Sequence, residues 1–456
     1  MLKRRDKPNT VQISIDPLHA GQSKALATFR GHRFKALRCG RRFGKTELAK
    51  GWIKHGLILG QECAWLSPQH KTWSEVYSEL MSDMAPIIAT TSKSSGVMKF
   101  ITDGRLDFWT LENRIAGRGR RYHRVVIDEA AFGKNGDNKT DGSTMEIWEK
   151  SIKPTLYDFG GEVLICSNSA GKNPDNFFYN ICTDPQYGFK EVHHSTMDNP
   201  LLPKRMQNET VEDWLTRREA YQDDLKKNND PLVYAQEYLA EFVDWSGVAF
   251  FSRDKLLANG QPVPYPAHCD GVFAVIDTAS KTGTENDATA VTYFATDQHS
   301  DRPPITILDW DVAQIEGAIL EHWLPSVFKR LEELARKCGA RSGALGAWIE
   351  DKNSGTILLQ QAQRRDMAAH AIESKLTSLG KDERAMSVSG YVYRGQVKYS
   401  EYAFNKVTEY KRKVRNHLLD QVESFRIGGK DSDREDDLLD TFCYGIAISL
   451  GNSEGF

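Results

Sequence analysis

Residues 39–47 read CGRRFGKTE, and this stretch decides the fold. Gly44, Lys45 and Thr46 close the phosphate-loop pattern G-x-x-x-x-G-K-[ST], but Cys39 stands where the first glycine is usual. Context separates a working loop from a chance GKT. FKALRC, residues 34–39, has the apolar character of a strand, and TELAKGWIKHGLIL, residues 46–59, that of a helix, so the loop falls at a strand-to-helix turn. Backbone amides of Gly40, Arg41, Arg42, Phe43 and Gly44, with the helix N-terminus, are expected to wrap phosphates. Lys45 is expected to reach the β and γ oxygens of ATP, and the Thr46 hydroxyl to ligate Mg2+. Gly40 is expected to keep the loop flexible one position after the missing glycine.

RVVIDEAAF supplies the companion feature. Val125, Val126 and Ile127 read as a buried strand ending in two adjacent acids: Asp128, placed to support the Mg2+, and Glu129, placed to polarise an attacking water. Either motif alone is common; together they point to nucleotide hydrolysis. VLICSNSAGKN is a further strand running into Ser167, Asn168 and Ser169, a turn that could sense the γ-phosphate or simply end a strand. Upstream, the Gln22 side-chain amide could read an adenine edge. Arg41 and Arg42 are candidates in cis for stabilising transition-state charge. Arg118, Arg120 and Arg121 in IAGRGRRYHR could act in cis, in trans or on DNA phosphates, or form only a solvated basic loop.

At 456 residues the chain exceeds the size of one core, and 40% hydrophobic with 27% charged residues suits a folded, two-domain protein. The formal net charge of −2 confines any nucleic-acid contact to local basic patches. Seven cysteines without a C-x-x-C pair give no zinc framework and suit a reducing compartment. No apolar run approaches the about 18 residues of a membrane span, and the basic start is not followed by a signal-type core. A cytosolic protein is expected.

Alternating helices and short apolar runs to about residue 180 predict a largely parallel α/β sheet. We expect an N-terminal domain over 1–198, a helical connecting subdomain over 199–265 and a second α/β domain over 266–456, whose strands DGVFAVIDTAS, ATAVTYFA and PITILDWD suggest hairpins in a mixed sheet. The His193-His194 pair reads as a linker feature. Acids punctuate the second domain: Asp277 ends a strand, Asp287 precedes the next, Glu350 and Asp351 end another, and Glu435, Asp436, Asp437 and Asp440 crowd a helix start. Helix-start acids are often only caps. Carboxylates from two strand ends and a helix start are also what two hard divalent ions need to cut a phosphodiester. Glu350 and Asp351 point to opposite faces if the strand continues, so one of them faces inward.

The combination GRRFGKT, VVIDEAA, CSNS, YAQEYLAEFVD, VIDTAS, IEDKNSG and EDDLLD, from about Gln22 to Ile448, resembles the large terminase subunit of tailed bacteriophages. The resemblance implies a P-loop (RecA/ASCE-like) ATPase domain that drives double-stranded viral DNA into a procapsid, and an RNase H-like mixed α/β nuclease domain that cuts the concatemer. It implies ATP with Mg2+ at Lys45, Thr46 and Asp128, Glu129 as catalytic acid, and two divalent cations (Mg2+ or Mn2+) at Asp277, Glu350 or Asp351, and Asp436 or Asp437. It implies Arg118 as an arginine acting on a neighbouring subunit, ranked below the loop arginines, and a coupling role for Ser167, Asn168 and Ser169. The implied partners are viral DNA, the portal protein, the small terminase subunit and a homo-oligomeric, pentameric ring on the procapsid, in the host cytoplasm and without a membrane. Lys398, Lys411, Arg412, Lys413 and Arg415 have the charge to grip DNA phosphates. Two other functions compete: a helicase-like DNA-repair ATPase with a fused metal-dependent nuclease, and an assembly protein whose ATP site has decayed.

Overall fold

FKALRC forms β1, Phe34–Cys39, and the segment after the loop forms the helix Lys45–Ile58. The computed structural model describes residues 13, 15–246, 249–278, 289–297, 302–313, 320–351, 354–427 and 436–451. The chain divides into two compact units, Met1–Asp224 with Pro231–Asp244, and Leu225–Asp230 with Trp245–Phe456, so that residues 199–265 are shared between them.

In the first unit, β1 is followed by β2 (Glu62–Ser67), β3 (Ile88–Ser92), β4 (Val97–Phe100), β5 (Arg105–Thr110), β6 (Arg124–Asp128), β7 (Glu162–Ser167) and β8 (Lys190–His194). They make one eight-stranded sheet in the order β3-β4-β5-β2-β6-β7-β1-β8. From β5 to β8 every pairing is parallel, and at the other edge β4 alone is reversed, pairing antiparallel with β5 and with β3. Parallel strands need both faces covered. Leu37 and Cys39 accordingly pack with Leu48, Ile53 and Leu57 of the helix after the loop, while Ala36 joins Val125, Ile127 and Trp148 in the opposite core. Strand β7 lies between loop-bearing β1 and acid-bearing β6, so the carboxyl ends of all three open on one edge of the sheet. This is the P-loop, RecA/ASCE-like architecture expected. The KEVHH segment departs from expectation: its two histidines belong to edge strand β8, where alternate residues Val192 and His194 are buried, and they are not a linker.

The second unit holds β9 (Gly271–Asp277), β10 (Thr289–Thr296), β11 (Ile305–Ala313), β12 (Ala344–Ile349), β13 (Ala369–Ala371) and β14 (Val397–Tyr399), in the order β13-β12-β9-β10-β11-β14. β9, β10 and β11 pair antiparallel, whereas β12 is parallel to β9, which gives the RNase H-like mixed sheet. The amphipathic helix Leu320–Lys337 buries Leu324, Val327, Leu331 and Leu334 in the same core as Val272, Ala274 and Ile276. The helix Asp437–Leu450 lies along β10: Thr441 Oγ1 is 2.7 Å from Thr292 Oγ1, and a Cβ on Gly445 would stand 2.3 Å from the Phe294 ring. Only glycine permits that approach. A basic hairpin, β15 (Thr408–Tyr410) and β16 (Lys413–Arg415), completes the unit. Among the described residues no helix is long and apolar enough to cross a membrane.

Candidate active sites

The loop between β1 and the helix Lys45–Ile58 is held from several sides. Gly44 has φ +92° and Arg42 φ 61°, so the left-handed turns fall there and not at Gly40. Gly40 serves close approach instead: a Cβ on it would meet Tyr238 O at 2.2 Å and Thr196 Oγ1 at 2.6 Å. The expectation that Gly40 restores turning freedom is corrected accordingly. Gln22 Nε2 donates to Gly44 O at 2.8 Å and its Oε1 accepts from His19 N at 3.0 Å. Its amide clamps the loop in this structure. Phe43 is buried between His19 and His194, stacked on the latter at 4.9 Å.

The two motifs of the first unit meet. Lys45 Nζ lies 2.9 Å from Glu129 Oε1 and 2.8 Å from Asn168 Oδ1, and Thr46 Oγ1 donates to Asp128 Oδ2 at 3.1 Å. Glu129 occupies a left-handed backbone position, φ 54°, of the kind that functional sites retain when their surroundings fix it. Ser167 Oγ accepts from Ala131 N and donates to Glu129 Oε2 at 3.3 Å. Ser169 Oγ accepts from Gly171 N, which caps the turn. Burial and then the neighbouring Glu129 push the Asp128 carboxyl up to about 6, against the pull of Lys45. Burial works against the Lys45 charge, but Glu129 and Asp128 outweigh it and hold the ammonium above its ordinary value. The Thr46 hydroxyl and the Asp128 carboxylate are hard oxygen donors of the type Mg2+ takes, side by side at the mouth of the loop, so these residues fit the ion.

Sequence reasoning passed over one member of this site. Glu237, whose side chain is 4% exposed, forms an ion pair with Arg41 and accepts from Asn168 Nδ2 at 3.4 Å. It lies in YAQEYLAEF, read only as connecting text; the signal was an acid set among Val233 and Tyr234 on the buried stripe of the helix Pro231–Glu237. Arg42 offers its carbonyl to Asn199 Nδ2 at 2.9 Å and keeps its side chain exposed. Of the RGRR run, Arg118 Nε donates to Ser151 Oγ at 3.2 Å, Arg120 pairs with buried Asp107 and Arg121 with Asp158.

In the second unit, register brings the acids together. Ile349 pairs with Ile276, so Glu350 stands level with Asp277 on parallel neighbours, and the two side chains are hydrogen-bonded. Burial, followed by the charges of Asp440, Glu350 and Asp437, holds the Asp277 carboxyl well above its usual range. Asp351 is exposed and accepts from Thr356 Oγ1 at 2.7 Å, so of the adjacent pair it is Glu350 that faces Asp277. Asp436 is ion-paired with Lys381, and Asp440 with Arg384. Asp287 and Glu435 lie outside the described residues. Among the described residues no three His, Cys, Asp or Glu side chains form a ready-made cation site. The carboxyl oxygens of Asp277 and the Glu350 that faces it are nevertheless hard donors of the type a divalent ion takes, so the donor set fits such an ion.

Three of the basic residues read as DNA contacts separate sharply. Lys398 is buried and donates to Lys255 O at 2.7 Å and Leu257 O at 2.9 Å, so it ties chain segments together and is not a surface grip. Lys411 and Arg412 instead form the exposed turn of the β15–β16 hairpin, both with positive φ.

No family model matches this sequence, and no curated protein matches it. Solved structures do. The large terminase from the thermophilic bacteriophage D6E matches in one crystal form with a TM-score of 0.63 at 12% identity, covering 95% of this chain and 100% of that one. Its complex with ADP matches equally, with the same TM-score, identity and coverage. Its complex with ATP-gamma-S matches with a TM-score of 0.61 at 12% identity, covering 94% of this chain and 99% of that one. Across 95% of its length, then, this two-unit chain has the fold of a large terminase.

Proposed function

We propose that this protein is a viral DNA-packaging motor subunit: residues 1–198 hydrolyse ATP to translocate double-stranded DNA into a procapsid, residues 199–265 connect, and residues 266–456 cleave concatemeric DNA. The observation that carries this reading is the meeting of Lys45, Thr46, Asp128, Glu129 and Asn168 at one sheet edge, in a chain with the fold of a large terminase. The D6E protein is solved with ADP and with ATP-gamma-S, which supports a nucleotide at the corresponding fold position here.

On ATP binding, Lys45 exchanges Glu129 and Asn168 for the β- and γ-phosphate oxygens, because a triphosphate offers it more negative charge than one carboxylate. Glu129, released, accepts the proton of the attacking water. Thr46 and Asp128 would hold Mg2+, which would supply charge neutralisation on the phosphates. Arg41 and Arg42 face the developing charge in cis; Arg118 is the weaker candidate in trans. Ser167 and Asn168, bonded to Glu129 and Lys45, carry the change of state into β7.

In the second unit, Asp277, Glu350, Asp437 and Asp440 would hold two divalent cations, which would supply water activation and charge neutralisation for phosphodiester cleavage. Asp440 must part from Arg384 for this, so DNA phosphates drawing Arg384 away would complete the site. The portal protein, the small terminase subunit and a pentameric ring on the procapsid are the assembly this role requires, in the host cytoplasm. A helicase-like repair enzyme would need a second parallel P-loop sheet, and the antiparallel β9–β10–β11 arrangement supports a nuclease instead.

The test is DNA protection from added nuclease in procapsids carrying portal. The wild-type chain with ATP should protect DNA, Glu129→Gln should protect none, and Asp277→Asn should package linear DNA but not cut concatemers. ATP-independent protection, or cleavage unchanged in Asp277→Asn, contradicts the proposal.

A further inference from the structure

A continuous polar chain crosses the nucleotide site. Glu129 meets Lys45 at 2.9 Å, Lys45 meets Asn168 Oδ1 at 2.8 Å, Asn168 Nδ2 meets Glu237 Oε2 at 3.4 Å, and Glu237 is ion-paired with Arg41. Asn168 stands in the middle with both ends of its amide engaged. The contact between Glu237 and Arg41 is doubled through the backbone, where Arg41 N donates to Glu237 O at 2.8 Å. Neighbouring bonds fix the same seam: Thr196 N donates to Tyr238 O at 2.8 Å, and Thr196 Oγ1 to Arg41 O at 2.7 Å. The absent Cβ of Gly40 allows the Tyr238 carbonyl to sit against the loop.

Glu237 is nearly inaccessible to water, whereas the Arg41 side chain is 44% exposed. The pair is therefore lopsided. A buried carboxylate depends on its few partners, while a half-exposed guanidinium is free to turn toward a better anion. A triphosphate is such an anion for both Arg41 and Lys45. When it binds, the outer guanidinium N–H groups of Arg41 turn to the phosphates while its Nε and backbone N–H stay on Glu237, and Asn168 loses Lys45 as a donor.

We propose that Glu237 is a positioning residue for ATP hydrolysis: it fixes Arg41 and, through Asn168, Lys45, so that the helix Pro231–Glu237 responds to what the phosphate loop holds. This rests on the ATPase reading above and adds to it a residue and a route. The coupling leaves the loop not only through β7 but also through the segment Pro231–Asp244, which continues in sequence to Trp245, where the long stretch of the second unit begins. Glu237 does not touch the reacting atoms. Its effect should fall on turnover and not on affinity, because its work is to set where Arg41 stands when charge develops.

The experiment uses the full chain with Mg2+ and ATP, comparing wild type, Glu237→Gln, Arg41→Ala and the double variant. Glu237→Gln should lower kcat about tenfold or more while KM stays within about threefold. The double variant should be no slower than Arg41→Ala alone, since both remove one arrangement. Hydrogen exchange of wild-type residues 231–237 should change when a non-hydrolysable ATP analogue binds, a reading that needs no variant to fold. If wild type hydrolyses ATP and Glu237→Gln matches its kcat, or the two losses simply add, the inference fails and the ATPase reading stands. An exchange pattern over 231–237 that ignores bound nucleotide also overturns the inference. A wild-type chain that neither binds nor hydrolyses ATP, alone or with portal and procapsid, overturns both.

Discussion

Lys45 and Glu129 are ion-paired, Nζ to Oε1 at 2.9 Å, so without nucleotide the cation proposed to bind phosphate is satisfied by the carboxylate proposed to activate water. Each keeps the other from exposure as an uncompensated charge. The pair gives the two residues separable phenotypes. Lys45→Ala should weaken ATP binding by about 100-fold or more in calorimetry, having lost the phosphate ligand. Glu129→Gln should bind ATP at least as tightly as wild type, because it no longer competes for Lys45, yet hydrolyse it about 100-fold or more slowly.

The Asp128 carboxyl carries a pH signature. Its folded value of about 6 lies above the roughly 3.9 of an unfolded aspartate, so the folded chain binds the extra proton between these limits. Its contribution to stability therefore falls as pH rises through that window, reaching a penalty of about 3 kcal/mol above it. Asp128→Asn, without nucleotide, should raise the thermal midpoint at pH 8 by about 2–6 °C, and the gain should shrink toward zero by pH 4. The same variant should lose hydrolysis, since the site is built for function at the expense of stability.

Side-chain direction separates the acids of the second unit. Asp277→Asn and Glu350→Gln should each reduce Mn2+-dependent plasmid cleavage by about 100-fold or more, because Glu350 faces buried Asp277 where β9 and β12 end side by side. Asp351→Asn, bonded outward to Thr356, should leave cleavage within about threefold. Gel quantification of supercoiled plasmid decides between them.

For DNA contact the hairpin turn and Lys398 make opposite forecasts. Replacing Lys411 and Arg412 together by glycine keeps the left-handed turn and removes two charges. The slope of log affinity against log salt should become shallower by about 1.8 if both touch phosphates. Lys398→Met should leave that slope unchanged and lower stability by about 1–3 kcal/mol, since the carbonyls of Lys255 and Leu257 lose their donor.

What the sequence disclosed follows from how local each signal is. β1 was bounded to the residue because FKALRC is an uninterrupted apolar-leaning run ending at a loop motif. Lys45, Thr46, Asp128 and Glu129 were legible because their chemistry is tied to strand ends. Edge strand β8 was missed because KEVHH buries only alternate residues and carries polar text. Choosing Glu350 over Asp351 required the pairing of Ile349 with Ile276, a long-range register that adjacency along the chain does not contain. The partners of Glu237 and Gln22 were out of reach for the same reason: Arg41 and Gly44 are met only through tertiary folding, although the buried place of Glu237 on its helix was itself legible.

The central claim is that one chain carries a nucleotide site and a separate carboxylate metal site. It is tested most directly by a crystal structure of the full chain with Mn2+ and a non-hydrolysable ATP analogue, read by anomalous scattering. One Mn2+ peak beside Thr46 and Asp128 next to the bound phosphates, with further Mn2+ between Asp277 and Glu350, is the predicted result. Bound nucleotide with no Mn2+ at Asp277, or Mn2+ at Asp277 with no nucleotide against Lys45, would contradict it.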